Sequence, residues 1–495
     1  MRGVFLGIVL GLIAPGAAAL ADVTPPAIDV LPCPLCRGAA ADIDECDKAL
    51  DHDDDDAAIA LCSAALRSEH LSDYDRAIGH LDRGVAYDDK GQYDRAIQDY
   101  DEAIRLRPDI AYAYNNRGVA YQAKGQYDRA IQDLDQAIAL DPDYVKAYIN
   151  RGIAYEYKGD YDEAIRNHDR AIALKPDEAW AYNSRGIVYD EKGDFKRAIQ
   201  DYDQAIKLVP DYSSAYYNRG IAHRNLEEFD QAIADYSKAI ALRPDDPDFY
   251  VGRGRSYHGK GEYDRAILDF DQAIKLDPKS IDAHHYRGWT NYIRDEFEQA
   301  IRDYDQALTI DPKLAGTLYN RGLVYEYLGK YDAAIGDFSA AIALKPDDGE
   351  TFIERGNSFH YAGDDTRAME DFNKAIELDP KNADAYYDRG LAYYDMGKED
   401  LALLDYEQTI DLAPDYAQAY SERGLIYYDK GQYAPAIADY TEAIKLAPTD
   451  AVAYYRRGLA YNDNGDSDAA IRDYDRALEL APEDEHAFCG RGIAY

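Results

Sequence analysis

Tryptophan occurs only twice and methionine three times in 495 residues, and beyond residue 40 proline keeps almost entirely to one recurring beat. Several catalytic signatures are missing altogether: H-E-x-x-H, G-x-S-x-G and G-x-x-x-x-G-K-[ST] do not occur, which removes the usual motif-level case for a zinc peptidase, a nucleophile-elbow hydrolase or a P-loop nucleotidase. Basic residues are scarce, 55 Lys and Arg against 95 Asp and Glu, for a formal charge of -40. Such a surface repels phosphate backbones and anionic headgroups, so nucleic acid and acidic membranes are excluded as expected partners. Neutral or basic polypeptides remain.

Long apolar runs are absent past the first 21 residues. There, Met1-Arg2-Gly3 leads into an apolar stretch from Val4 to Ala14, and Ala19-Leu20-Ala21 precedes Asp22. The charged start, short apolar centre and A-x-A end read as a secretory signal peptide over 1–21. The centre is shorter than the roughly 20 residues a membrane span needs. The expectation is an exported chain, periplasmic or secreted, with no membrane span after cleavage.

Cysteine is sparse too: Cys33, Cys36, Cys46, Cys62 and Cys489. In an exported chain the first four are disulfide candidates with three possible pairings. A Cys46–Cys62 bridge would pin two short helices together. A four-thiolate zinc site is the weaker alternative, because only Cys33-Pro-Leu-Cys36 has ligand spacing. The acidic run Asp51 to Asp56 lacks the glycine and terminal glutamate of a calcium loop. His284 and His285, adjacent on a helix, point apart. No metal and no cofactor are expected.

What the chain has in abundance is a period. Arg-Gly recurs at Arg83-Gly84, Arg117-Gly118, Arg151-Gly152 and onward to Arg491-Gly492, each step 34 residues without insertion or deletion. Proline keeps step from Pro108 to Pro482, and alanine from Ala96 to Ala470. Within 111–144, Tyr114, Gly118 and Tyr121 share one face of a first helix, and Gly125 suits a left-handed end to it. Tyr127, Ala130, Ile131, Leu134, Ala137 and Ile138 then line one face of a second helix, which Pro142 stops. One such pair leaves its apolar face wet, so each repeat depends on the next.

This pattern resembles the tetratricopeptide repeat family. The resemblance implies an all-α chain, a right-handed superhelical α-solenoid of helix-turn-helix repeats. It divides the chain into the signal peptide, a Pro/Ala-rich lead-in at 22–42, a degenerate capping repeat at 43–76, twelve full repeats at 77–484, and the first helix of another at 485–495. One departure is systematic: Arg83 and its successors stand where the family often carries leucine. Acids at Asp99, Asp133, Asp201, Asp235, Asp269 and Asp303 recur on the second helix, so each Arg is expected to pair with the acid of its own repeat. His168 and His223 fall on core-aromatic positions.

The resemblance also implies a concave groove lined by first helices that cradles polypeptide. Mapped here, it includes Trp180, Tyr217, Ile221, Arg255, His258, His285, Trp289 and Tyr319. Asn116, Asn150, Asn218 and Asn320 precede the Arg-Gly pair, close to where family members use asparagine to grip a ligand backbone. The basic residues that clamp an acidic C-terminal tail in chaperone-binding members are missing. Repeats five to seven depart most from the average, so Arg255, His258, His285 and Trp289 are expected to centre the contact. The function implied is a protein-binding scaffold, not an enzyme, for neutral to basic partners with apolar anchors. Alternatives are the recognition arm of a larger glycosyltransferase or peptidase, and a structural protein that self-associates through an uncapped C-terminal end.

Overall fold

The computed structural model describes residues 41–50 and 54–495. The signal peptide expected at 1–21, Cys33 and Cys36 lie outside the described residues. Within them, every regular element is an α-helix, and the helices form antiparallel pairs.

The repeat built on Ala111–Ala123 and Tyr127–Leu140 shows why the pairs form. Gly125 adopts φ +69°, a left-handed conformation that glycine reaches without a Cβ clash. The Gln126 amide then donates to the Tyr121 carbonyl at 2.8 Å, satisfying a carbonyl that the helix end would otherwise orphan. The second helix turns Ala130, Ile131, Leu134 and Ala137 inward. Close approach is enforced by the glycine after each arginine. A Cβ at Gly84 would lie 2.6 Å from the Tyr100 ring, and one at Gly186 would lie 2.6 Å from the Tyr202 ring. The ring occupies the volume that glycine leaves. Between repeats, the Tyr148 hydroxyl donates to the Pro142 carbonyl at 3.3 Å, closing the turn that Pro142 opens.

The chain divides into two compact units, 1–283 and 284–495. In the first unit, a short pair, Ala41–Leu50 and Asp55–Ala65, is joined by a Cys46–Cys62 disulfide with Cα atoms 5.2 Å apart. Six full pairs follow, from Asp73–Asp89 with Tyr93–Leu106 to Pro247–Gly259 with Tyr263–Leu276. The second unit stacks pairs in the same way through Ala451–Asp463 with Ser467–Leu480, and then Glu485–Ala494. Each unit is an all-helical stack of hairpins, the α-solenoid architecture. The first helix of the first full repeat begins at Asp73, ahead of the Ala77 register position. Ser72 accepts the Asp75 amide at 3.1 Å, and this N-cap adds a turn that later repeats do not have.

Two turns lack glycine. Glu227 and Asp295 still take φ +60°, so the register is kept at the cost of a strained residue in each.

Candidate protein-binding face

The recurring arginines show which surface is committed to holding the repeats together. Arg83 donates through Nε and Nη2 to the two oxygens of Asp99 at 2.8 and 2.7 Å, and Arg389 does the same to Asp405 at the same distances. Asp99 and Asp405 are each 5% exposed. Burial pushes the Asp99 carboxyl up, and hydrogen bonds from Arg83 and His80 overcome that push and hold it below its ordinary range. A third contact, which the sequence did not reveal, ties most of these arginines to the repeat before their own; among the described residues, Arg423 hydrogen-bonds Asp439 of its own repeat alone. Arg185 Nη1 reaches Asp169 at 2.6 Å, Arg253 reaches Ser237 at 3.0 Å, and Arg389 reaches Asn373 at 2.6 Å. One guanidinium therefore staples two successive second helices, using the planar fork that a lysine lacks. Arg151 is the exception in kind, because its own-repeat partner is the amide of Asn167 at 2.7 Å.

With the second helices committed in this way, the first-helix face carries what varies between repeats. Its expected asparagines need correction. Asn116, Asn150 and Asn218 do not stand open to grip a ligand. Asn150 donates to Asn115 at 3.0 Å, Asn218 to Asn183 at 3.1 Å, and Asn116 accepts from Asn115 at 3.1 Å. All three are buried, because neighbouring first helices approach closely enough for amide to meet amide. Asn320 is only half-buried. His285 needs the same correction: it is 4% exposed, with Nδ1 2.9 Å from the Thr317 hydroxyl.

Other expected residues do reach the surface. Trp180 is half-buried against Tyr148 and Ile149 of the preceding repeat. Tyr217 packs 5.1 Å from Phe249, Ile221 is half-buried, and Trp289 lies 6.3 Å from Tyr286. The Tyr319 hydroxyl sits 3.4 Å from Glu350. Arg255 and His258 belong to the first unit, His285 and Trp289 to the second. Burial, aided by Arg255, lowers the His258 pKa to about 4. His168 fills a core position, wholly buried and pushed down to about 3 by desolvation. His223 instead meets Glu228 at 2.6 Å near the surface.

The last-turn position of the first helix is occupied in succession by Asp88, Gln122, Glu156, Asp190, Arg224 and His258; sequence reasoning picked out His258 there and missed the other five. Gln122 bonds the Asn150 carbonyl of the next repeat at 2.6 Å. Glu156 and Asp88 are 6% and 7% exposed, yet, like Asp190, they take part in no hydrogen bond or ion pair among the described residues. Desolvation pushes Asp88 and Asp190 up to about 7 and Glu156 well above the carboxylate range. The signal was available, since acids at 34-residue steps break the polar-neutral character set by Gln122. Among the described residues, no group of three or more His, Cys, Asp or Glu is placed to hold a metal, and no helix is long and apolar enough to cross a membrane.

Family models agree with this repeat architecture. Models described as TPR repeat match 84–125, 356–397, 390–431 and 424–465. Models described as tetratricopeptide repeat match 111–144, 143–211, 183–247, 217–281, 251–315, 292–351 and 451–484. No curated protein matches the chain. Among solved structures, the chain is similar to the Cut9–Hcn1 hetero-tetramer of APC/C at 14% identity and TM-score 0.46, covering 91% of this chain and 95% of that one. It is similar to yeast Tom70 at 18% identity and TM-score 0.43, covering 84% and 94% respectively. MamA aligns at 30% identity and TM-score 0.31 over 33% of this chain and 96% of its own. The repeat fold is that of an interaction scaffold, an architecture generally without catalysis of its own. The chain belongs to the tetratricopeptide repeat family.

Proposed function

We propose that this chain is a scaffold that binds polypeptide partners on the first-helix face of its repeats. One observation carries the reading. The positions where first and second helices meet repeat the same Arg–Asp staples and glycine–aromatic contacts almost without change, whereas the remaining first-helix positions change character from repeat to repeat. Uniform positions supply stability, and the varied ones are free to supply specificity. Half-buried Trp180, Tyr217, Trp289 and Tyr319 offer rigid aromatic area at low entropy cost. The charge of -40 favours neutral to basic partners.

The site of action we propose lies outside the cytoplasm. The leader-like start supports this, and so does the Cys46–Cys62 disulfide, a bond that persists in oxidising compartments.

Photo-crosslinking tests the binding face. A benzophenone side chain placed at Trp180 or Ile221 should trap polypeptide from an extract of exported proteins. The same group at Leu268, on the outside of a second helix and 67% exposed, should trap little. Equal yields at all three positions would refute the assignment of the face.

A further inference from the structure

Glu156 and Asp190 hold the same place in successive repeats of the first unit, and Glu191 follows Asp190 at the end of helix Ala179–Glu191. The buried second-helix aspartates meet arginine, as in Arg185 with Asp201 at 2.8 and 2.6 Å. Among the described residues, Glu156 and Asp190 have no such partner. One repeat earlier, Gln122 turns an amide donor onto the Asn150 carbonyl. Glu156 stands at the register position of Gln122 with a group that, ionised, can only accept.

A second observation points to a missing partner. The Tyr202 hydroxyl is wholly buried and has no hydrogen-bond partner, and its charged neighbours are Asp190, Glu156, Asp201 and Glu191. One repeat later, Arg224 stands where Asp190 stands and reaches the Tyr236 hydroxyl at 3.4 Å. The cation present in that repeat is replaced by an anion in this one. Burial disfavours ionisation of Glu156, with Glu191 adding to the effect. The same holds for Asp190, against a smaller opposing pull from Arg224, while the Tyr161 hydroxyl is a neighbour of Glu191. The Tyr161 hydroxyl donates to Glu191, but among the described residues no cation forms an ion pair with Glu156 or Asp190, and a buried polar group without a partner is costly.

We propose that Glu156, Asp190 and Glu191, with the Tyr202 hydroxyl beneath them, form a pocket for one lysine or arginine side chain of a bound polypeptide. This rests on the scaffold reading and narrows it to partners that present a basic anchor to the third and fourth full repeats. An ammonium or guanidinium brings several N–H donors and a positive charge, which is what the cluster lacks.

Calorimetric titration of the full chain with an acetylated, amidated hexalysine peptide at pH 7.4 tests it. Run in two buffers of different ionisation heat, the titration also counts protons. Binding should release protons, because carboxyls that hold them near neutrality must give them up to face a cation. Glu156→Gln with Asp190→Asn should weaken binding at least tenfold and abolish the release, with the far-ultraviolet spectrum unchanged. Acetylating the lysine side chains of the probe should do the same. Asp177→Asn with Asp211→Asn removes the same charge from exposed turn positions and should change affinity less than twofold. Three results would overturn the pocket: no binding of hexalysine, equal weakening by the two double variants, or binding without proton release. Spermine binding as tightly as hexalysine would overturn the assignment to a polypeptide side chain. Crosslinks at Trp180 that persist while the titration fails would reject this pocket and leave the scaffold reading intact.

Discussion

The first and second units are built from the same repeat, yet they treat the last turn of the first helix in opposite ways. In four successive repeats of the second unit that position shares a hydrogen bond with the next repeat. His360 lies between Asp365 at 2.8 Å and Asp395 at 3.1 Å, Tyr394 donates to Asp429 at 2.9 Å, and Tyr428 donates to Asp463 at 2.6 Å. Glu326 accepts from Ser358 at 2.6 Å. In the first unit, Asp88, Glu156 and Asp190 hold carboxyls with no hydrogen bond or ion pair among the described residues. At this position four repeats of the second unit use their bonding capacity between repeats, and three of the first leave a carboxyl unspent, although core hydroxyls such as Tyr202 and Tyr406 go unpartnered among the described residues of both units. Stability and recognition draw on the same polar groups, so the place where a repeat array leaves them unmatched is where a partner has something to gain.

The largest way to break this contrast is to give the second unit an unmatched charge. Asp405→Ala strips Arg389 of its buried partner and should cost about 3–5 kcal/mol, read from denaturant unfolding followed by circular dichroism. Asn167→Ala, at the one staple of the first unit made by a neutral amide, should cost only about 1–2 kcal/mol. Equal losses would show that the charge on the aspartates adds nothing.

The next test removes the mismatch from the first unit. Asp190 holds its proton up to about pH 7 when folded but loses it near the ordinary aspartate value of about 3.9 when unfolded. The folded state therefore binds more protons between those limits, and stability falls as pH rises through that window. Glu156→Gln with Asp190→Asn should stabilise the chain by on the order of 1–3 kcal/mol at pH 8 and by nothing measurable at pH 3.5. A pH-independent gain would mean that shape, not ionisation, was the cause.

Smaller effects sharpen the comparison by showing where the units do not differ. Glu227 in the first unit and Asp295 in the second share φ +60°. Replacing either with glycine should stabilise by about 1 kcal/mol and by the same amount in both, measured as a shift in denaturation midpoint. The smallest change is Tyr394→Phe, which deletes one exposed rung at Asp429 and should cost about 0.5–1 kcal/mol. A null result there would mean that the hydrogen-bonded row of the second unit is decorative.

Much of the fold was legible because the period is exact in register. Gly125 and Pro142 mark helix ends by backbone chemistry that needs no tertiary context, and Arg117 with Asp133 announced a pair by recurring together. The binding face was legible only in outline. Asn116, Asn150 and Asn218 read as ligand-gripping side chains because asparagine suits that task, but whether an amide faces a ligand or a neighbouring helix depends on a distance between repeats that no single repeat encodes. Glu156 and Asp190 were passed over because acids are common in a chain with 95 of them. Only burial separates these two from the solvated majority.

The sequence by itself determined the helical hairpin, its 34-residue register and the glycine that admits each core ring, since all three follow from local backbone preference and periodic apolar spacing. Tertiary structure alone decided which polar groups find partners. Hydrogen bonds between successive first and second helices, such as Arg185 to Asp169 or Asn218 to Asn183, depend on ångström-scale approach between segments one repeat apart. Composition is blind to that approach, and it is what leaves Glu156 and Asp190 unmatched.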